Sequence, residues 1–246
     1  MTTDSLDSLA VWCTVRDRVD WALAGTGTQV PVAPAVDGLT GWFDGEVRHR
    51  CPQRADRLLD ANTLARIDAA HRRALTPALL AGWQRIVLGR SEITFRDGDA
   101  FAKGGRERYG LTPSTWPDFA RCLQQSTDPA LPLAARAARA YLDVAFFHPF
   151  PDGNARLALL TLAYVLDLDG VRLDQVAPLQ TTRYADDPVG AADLAALVAV
   201  LIRASHRRAA APAMCGERPR RAPVSPPSSG DHRSSQGRGA GETPRT

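Results

Sequence analysis

One stretch of the sequence, residues 157–166, is apolar on every face that a helix would present. A helix that is hydrophobic all round is buried, because none of its faces suits water. No apolar run in the chain reaches the roughly 18 residues that a membrane span needs, so we expect no contact with a membrane. The run is therefore predicted to be the central helix of a bundle, with Gly170 as the residue that ends it.

Helical periodicity and turn residues predict an all-α, mainly helical protein in three parts. Residues 1–55 are expected to form an N-terminal helical segment that packs on the core. Residues 56–208 are expected to form the core domain. Residues 209–246 are rich in Arg, Pro, Ser and Gly, show no periodicity, and are predicted to be a disordered tail.

Charge and cysteine content exclude several classes of protein. The tail holds six arginines against three acidic residues, which accounts for the net charge of +3, so the body is close to neutral. No broad basic face for nucleic acid is needed to explain the charge. The four cysteines are scattered without a CxxC pair, which supports neither a zinc site nor a redox motif. The first residues lack a basic and apolar leader, so we expect a cytoplasmic protein.

The segment just before the central run, residues 148–156, collects the groups that phosphate chemistry uses. His148 is a titratable base whose ordinary pKa is about 6.5. Asp152 offers hard oxygen atoms, which suit Mg²⁺. Residues 153–155 lie where the next helix begins, and backbone N–H groups at a helix N-terminus attract anions. Arg156 adds a guanidinium that can bind two phosphate oxygens at once.

The same segment resembles the signature of the Fic family, usually written HxFx(D/E)GNGRxxR. The matching positions are His148, Phe150, Asp152, Gly153, Asn154 and Arg156. Two positions depart from the signature, since Ala155 replaces the second glycine and Leu159 replaces the final arginine. The resemblance covers roughly residues 60–205 and implies a Fic-like helical bundle with a central buried helix and a small β-hairpin flap.

We expect that flap within residues 86–103. Two strand-like stretches, residues 86–88 and 92–96, precede the dipeptide Asp97-Gly98, which is typical of a hairpin turn. In Fic proteins such a flap aligns the target segment by main-chain pairing beside the active site, which is a form of strand addition. A plain connecting hairpin is the alternative interpretation.

The resemblance also implies a reaction, the transfer of AMP or another phosphate-containing group from ATP or another nucleotide to a Ser, Thr or Tyr hydroxyl of a protein. His148 would take the hydroxyl proton, and Asp152 would hold Mg²⁺ on the phosphates. Arg156 would stabilise charge in the transition state. The backbone N–H groups that would bind the phosphates belong to Gly153, Asn154 and Ala155.

Leu159 weakens the inference that this chain has the activity of the family. An arginine at this position reaches the terminal phosphate in typical Fic enzymes, and a charge-assisted contact of this kind contributes about 1.5–3 kcal/mol. The leucine is compatible with slower AMP transfer, with a different donor, or with phosphoryl transfer. It is also compatible with a non-catalytic Fic-fold protein that binds a nucleotide or a partner protein.

Control of the activity is a separate question. Fic proteins are often autoinhibited by a segment whose Glu pairs with the final arginine of the signature. The nearest form here, residues 40–45, has Asp44 in place of that Glu. A toxin-like protein held by a separate antitoxin-like inhibitor is therefore an open alternative. A nucleic-acid binder that uses the arginine-rich tail is a third one, although we expect no nucleic-acid partner.

Overall fold

Helices make up most of the chain, as the sequence predicted. A computed structural model describes residues 6–26 and 30–210. The helices in chain order are α1 (Ser8–Arg18), α2 (Gly38–Trp42), α3 (Arg48–Arg50), α4 (Pro52–Ala70), α5 (Pro77–Leu88), α6 (Thr115–Gln125), α7 (Leu133–Phe147), α8 (Asn154–Leu168) and α9 (Pro188–Ala210). A π-helical turn, Phe43–Val47, joins α2 to α3. The strands are β1 (Ala100–Ala102) and β2 (Glu107–Tyr109).

The central helix predicted from the apolar run is α8. It is buried on all sides, because α4, α5 and α7 all pack against it. Its fully buried side chains include Leu157, Leu160, Leu162 and Val165. Gly170 follows the helix with a left-handed backbone (φ 70°), as expected for a residue just after a helix end. α7 and α8 lie on either side of residues 148–153, so the two most buried helices meet at the candidate site.

The predicted hairpin is present, but its predicted position was wrong. β1 and β2 pair antiparallel with Ala100 opposite Tyr109, so the hairpin spans residues 100–109 and not 86–103. Residues 86–88 form the last turn of α5, because they continue its helical spacing up to Gly89, which is left-handed (φ 64°). The chain reverses at Lys103–Gly105, where all three residues have positive φ, and not at Asp97-Gly98.

The last helix, α9, has the length and composition of a membrane span. Among the described residues it is long and apolar enough to cross a membrane, with a mean hydropathy of 1.6. Half of that stretch is buried inside the protein, where α9 packs against α7. The helix continues to Ala210, two residues into the predicted tail, and residues 211–246 lie outside the described part of the chain.

A buried ionic cluster ties α1 to α7. The guanidinium of Arg16 donates to Asp143 through Nε at 2.8 Å and through a terminal nitrogen at 3.1 Å. Trp12 and Ser126 also donate to the same carboxylate, at 3.1 and 2.9 Å. Both charged side chains are almost completely inaccessible to water. Every oxygen of the carboxylate is satisfied, so the charge on α7 depends on a residue of α1 for neutralisation.

We predict that Asp143→Ala lowers the free energy of unfolding by about 3–5 kcal/mol, because it leaves the Arg16 guanidinium buried and unpaired. Urea denaturation measures the change. Asp44→Ala is the control, since Asp44 forms an exposed pair with Arg48 and its loss should cost less than about 1 kcal/mol. Equal stability losses in the two variants would contradict the structural role of the cluster.

Candidate functional site

The loop between α7 and α8 is held by the side chain of Asn154. Its Oδ1 accepts a hydrogen bond from the N–H of Phe150 at 3.0 Å, and its Nδ2 donates to the carbonyl of the same residue at 2.7 Å. Phe150 is buried and anchors the loop in the core. Asn154 was predicted to bind nucleotide, and the structure engages its side chain within the loop, leaving only its backbone N–H for a ligand.

His148 ends α7 with a left-handed backbone (φ 48°), and this turns its side chain out of the helix register. Its Nδ1 lies 2.8 Å from the carbonyl oxygen of Ala145. A carbonyl only accepts, so Nδ1 carries the proton in the neutral ring, and Nε2 has a free lone pair. This is the tautomer that a general base requires at Nε2.

The environment of His148 keeps its ring neutral. Burial, helped by the positive charges of Arg96 and Lys103, lowers the pKa of His148 below its ordinary value. The ring stacks on Tyr109 of β2, with centroids 4.9 Å apart and planes at 15°. The Tyr109 hydroxyl donates to Glu107, which also pairs with Lys103. The hairpin therefore fixes one face of the imidazole, a contact that the sequence did not predict.

Arg96 holds the end of α7 and the following loop through hydrogen bonds to backbone carbonyls. It is buried, and its guanidinium donates to the carbonyls of Phe147 at 3.3 Å and Gly110 at 2.9 Å. Its backbone N–H donates to the carbonyl of Pro149 at 3.0 Å. This role was not predictable, because Arg96 occupied a polar position of an expected strand and its acceptors Phe147 and Gly110 are distant in the chain.

The start of α8 presents backbone donors. Gly153 is left-handed (φ 79°), and its own N–H donates to the Asp152 side chain. In the described part of the chain, the N–H groups of Asn154, Ala155 and Arg156 have no protein acceptor. The N–H of Gly153 was predicted to donate to phosphate. In the structure it is occupied by Asp152, and the left-handed turn at Gly153 exposes the N–H groups of the next three residues. Gln84 of α5 donates to the carbonyl of Asp152 and braces this turn.

Asp152 is an exposed carboxylate beside these donors. Its side chain is 70% exposed, and both of its oxygens lie 3.2 Å from a terminal nitrogen of Arg156. Within residues 6–26 and 30–210, no cluster of three or more His, Cys, Asp or Glu residues could enclose a metal ion. A single accessible carboxylate fits Mg²⁺, which binds few protein ligands and takes the rest from phosphates and water.

Two adjoining cavities open at the loop. His148 lines a cavity of about 300 Å³, together with Lys103 and Arg183. Arg156 and Leu159 line a second cavity of about 210 Å³. The residues that line both cavities are Tyr141, Ala155 and Gln180. The structure thus places the predicted base and the predicted arginine on either side of Ala155, with Leu159 buried at the far side.

The segment with the altered inhibitory pattern lies at the second cavity. Its residues Trp42 and Phe43 line this cavity, together with Glu46, which follows the segment. Asp44, which stands where the inhibitory Glu would be, instead pairs with Arg48 at 2.7 Å and is exposed. The segment is therefore adjacent to Leu159 without an ion pair to the signature.

Comparison with known proteins supports the resemblance. Residues 74–166 match the sequence model described as the Fic/DOC family, which confirms the resemblance predicted from the signature. No curated protein matches the chain.

Several solved structures have similar folds. A complex of an IbpAFic2 variant with adenylylated Cdc42 gives a TM-score of 0.48 at 12% identity, over 77% of this chain and 76% of that one. A Fic domain containing signaling protein from Bacteroides thetaiotaomicron gives 0.46 at 12% identity, over 80% and 92%. Fic-1 from C. elegans gives 0.43 at 17% identity, over 82% and 70%. Such distant likenesses say nothing about what this chain acts on.

We predict that Gly153→Ala destabilises the protein by about 1–2 kcal/mol through the left-handed backbone alone. The added Cβ would also lie 2.6 Å from Nε2 of Gln84 and displace that brace. Thermal or urea unfolding measures the loss. Gly98→Ala is the matched control, because a Cβ there meets open space and φ is not positive. The interpretation fails if the two variants are equally stable.

Proposed function

We propose that this protein transfers AMP, or another phosphate-containing group, from a nucleotide to a protein hydroxyl. The family match supports a Fic-type transferase or a related function. One observation carries the finer proposal: His148 has a free Nε2 in a cavity that adjoins the N-terminus of α8. A neutral base and a set of open backbone N–H groups are thereby held on one loop.

The proposed reaction follows from this arrangement. Nε2 of His148 takes the proton of an incoming Ser, Thr or Tyr hydroxyl as its oxygen attacks phosphorus. The new O–P bond forms while the bond from phosphorus to the leaving phosphate oxygen breaks. The backbone N–H groups of Asn154, Ala155 and Arg156 stabilise the phosphate oxygens, and the Arg156 guanidinium adds positive charge.

Asp152 is the residue that would hold Mg²⁺, since it is exposed beside the proposed phosphate site. Bound there, the cation would offset phosphate charge and assist the leaving group. Arg156 neutralises Asp152 in the structure, and phosphate oxygens would offer both groups new partners.

A protein acceptor is the proposed partner. The IbpAFic2 variant, by comparison, is described in complex with adenylylated Cdc42. In this chain Phe101 of β1 is 63% exposed, and β1 lies at the edge of the two-stranded sheet. An extended segment of the acceptor can pair with such an edge through main-chain hydrogen bonds. An antitoxin-like inhibitor is also proposed, because Asp44 does not reach the signature.

The alternative is a non-catalytic Fic-fold protein that binds a nucleotide or a partner. Leu159 favours it, because the leucine is buried at the wall of the second cavity and cannot contact a phosphate by charge. The presence of His148, Asp152 and Arg156 within the loop and the first turn of α8 favours the enzyme.

We predict Mg²⁺-dependent label transfer from nucleotide to protein, reduced by about 10²- to 10⁴-fold in His148→Ala because the base is lost. Separate reactions with α-³²P-ATP and γ-³²P-ATP distinguish AMP transfer from phosphoryl transfer. His71→Ala is the control, since His71 is exposed at the end of α4. Undiminished transfer in His148→Ala contradicts the role of the base. Nucleotide binding without transfer from ATP, UTP or GTP establishes the non-catalytic alternative.

The pH dependence gives a second prediction. Only neutral His148 accepts a proton, and burial lowers its pKa, so the acidic fall in kcat/KM should have its midpoint below about 6.5, the ordinary pKa of histidine. Lys103→Met removes a positive charge near the ring and leaves Glu107 without its cation. Both changes raise the pKa of His148, so the fall should move to higher pH. Lys103→Arg keeps the charge and should leave the profile in place. A shift in the opposite direction for Lys103→Met would refute the electrostatic account.

A further inference from the structure

The cavity beside Leu159 is lined by more basic than acidic side chains, although the signature has lost its final arginine. Three arginines line it, against a single acidic residue, Glu46. They are Arg50, Arg54 and Arg156. The excess of positive charge at a concave site favours an anionic ligand.

Two of these arginines come from outside the signature. Arg50 belongs to α3 and Arg54 to the first turn of α4. Their position is set by the turn at Cys51, where the backbone is extended (φ −159°, ψ 95°) between the two helices. Because this segment precedes the signature by about 100 positions, no local pattern in the sequence links it to Arg156.

Neither Arg50 nor Arg54 is engaged in a strong ion pair among the described residues, so both guanidinium groups are available to a ligand. Arg50 lies 3.7 Å from Glu46, and both are largely exposed, so this ion pair is weak. In residues 6–26 and 30–210, Arg54 makes no ion pair, and it is exposed at the cavity. An unpaired guanidinium at a cavity wall is a ready ligand for phosphate oxygens.

The rest of the cavity wall strengthens such contacts. Leu58, Phe43 and Leu159 line it and are themselves buried. A guanidinium–phosphate contact gains strength where apolar groups reduce the access of water. Leu159 therefore serves as an apolar wall between arginines that come from two directions.

We propose that Arg50 and Arg54 form a subsite for the outer phosphates of a polyphosphate, and so supply the charge that Leu159 lacks. The phosphate nearest the reaction lies at the N-terminus of α8, and the following phosphates extend past Ala155 into the second cavity. This inference rests on the proposed function for the identity of the ligand as a nucleotide with two or more phosphates. The subsite itself recognises the polyphosphate anion, so it is testable without a nucleoside.

The test measures the affinity of the full chain for inorganic tripolyphosphate by titration calorimetry. The variants are Arg54→Ala, the double variant Arg50→Ala with Arg54→Ala, and Arg18→Ala. Arg18 ends α1 and is exposed away from the cavity lining, so its variant controls for the loss of one positive charge. Circular dichroism confirms that each variant is folded. We expect a loss of about tenfold or more for Arg54→Ala, a larger loss for the double variant, and little change for the control.

A second titration compares ATP with AMP. The double variant should weaken ATP binding and leave AMP binding unchanged, because AMP has no outer phosphate to place in the subsite. Equal affinities of wild type and double variant for tripolyphosphate, or no binding by wild type, would overturn the subsite. Loss of affinity in the double variant without any label transfer would support the subsite and reject the proposed transfer reaction.

Discussion

The geometry of the site depends on the pair of hydrogen bonds between the Asn154 side chain and the backbone of Phe150. Both bonds are buried, and together they occupy the donor and the acceptor of one residue. A buried amide pair of this kind cannot be exchanged for water without loss, so the loop has one conformation. His148 lies at the start of that loop and the open N–H groups of α8 lie at its end. Their separation is fixed by an amide that would never touch a ligand.

Support for the loop comes from several distant elements. Gln84 of α5 donates to the carbonyl of Asp152, and the backbone N–H of Arg96, in the segment before β1, donates to the carbonyl of Pro149. Asp143 anchors α7 five positions before His148 through its ion pair with Arg16. Helix α1 therefore stabilises the same helix that ends at His148. Close to the site, the buried side chains of Gln84 and Arg96 bind backbone carbonyls, and the buried charge of Asp143 is paired with Arg16.

The sequence predicted what depends on local pattern. The centre of α8 follows from a run of apolar residues, 157–166, which the structure places inside Asn154–Leu168. Residues 86–88 were misread because a short apolar run suits a strand as well as the last turn of a helix. The stacking of Tyr109 on His148, the hydrogen bonds of Arg96 and the position of Arg54 were not predictable. Each depends on contacts between residues far apart in the chain, and such contacts produce no periodic pattern in the sequence.

The stacked ring of Tyr109 also connects the β-hairpin with His148. Its backbone lies opposite Ala100 in the hairpin, and its ring stacks on the imidazole of His148. A chain that pairs with β1 would be held at a set distance from His148, across one strand and one stacked aromatic ring. Selection of the modified hydroxyl would then be a matter of distance along the acceptor backbone, with its side-chain composition secondary.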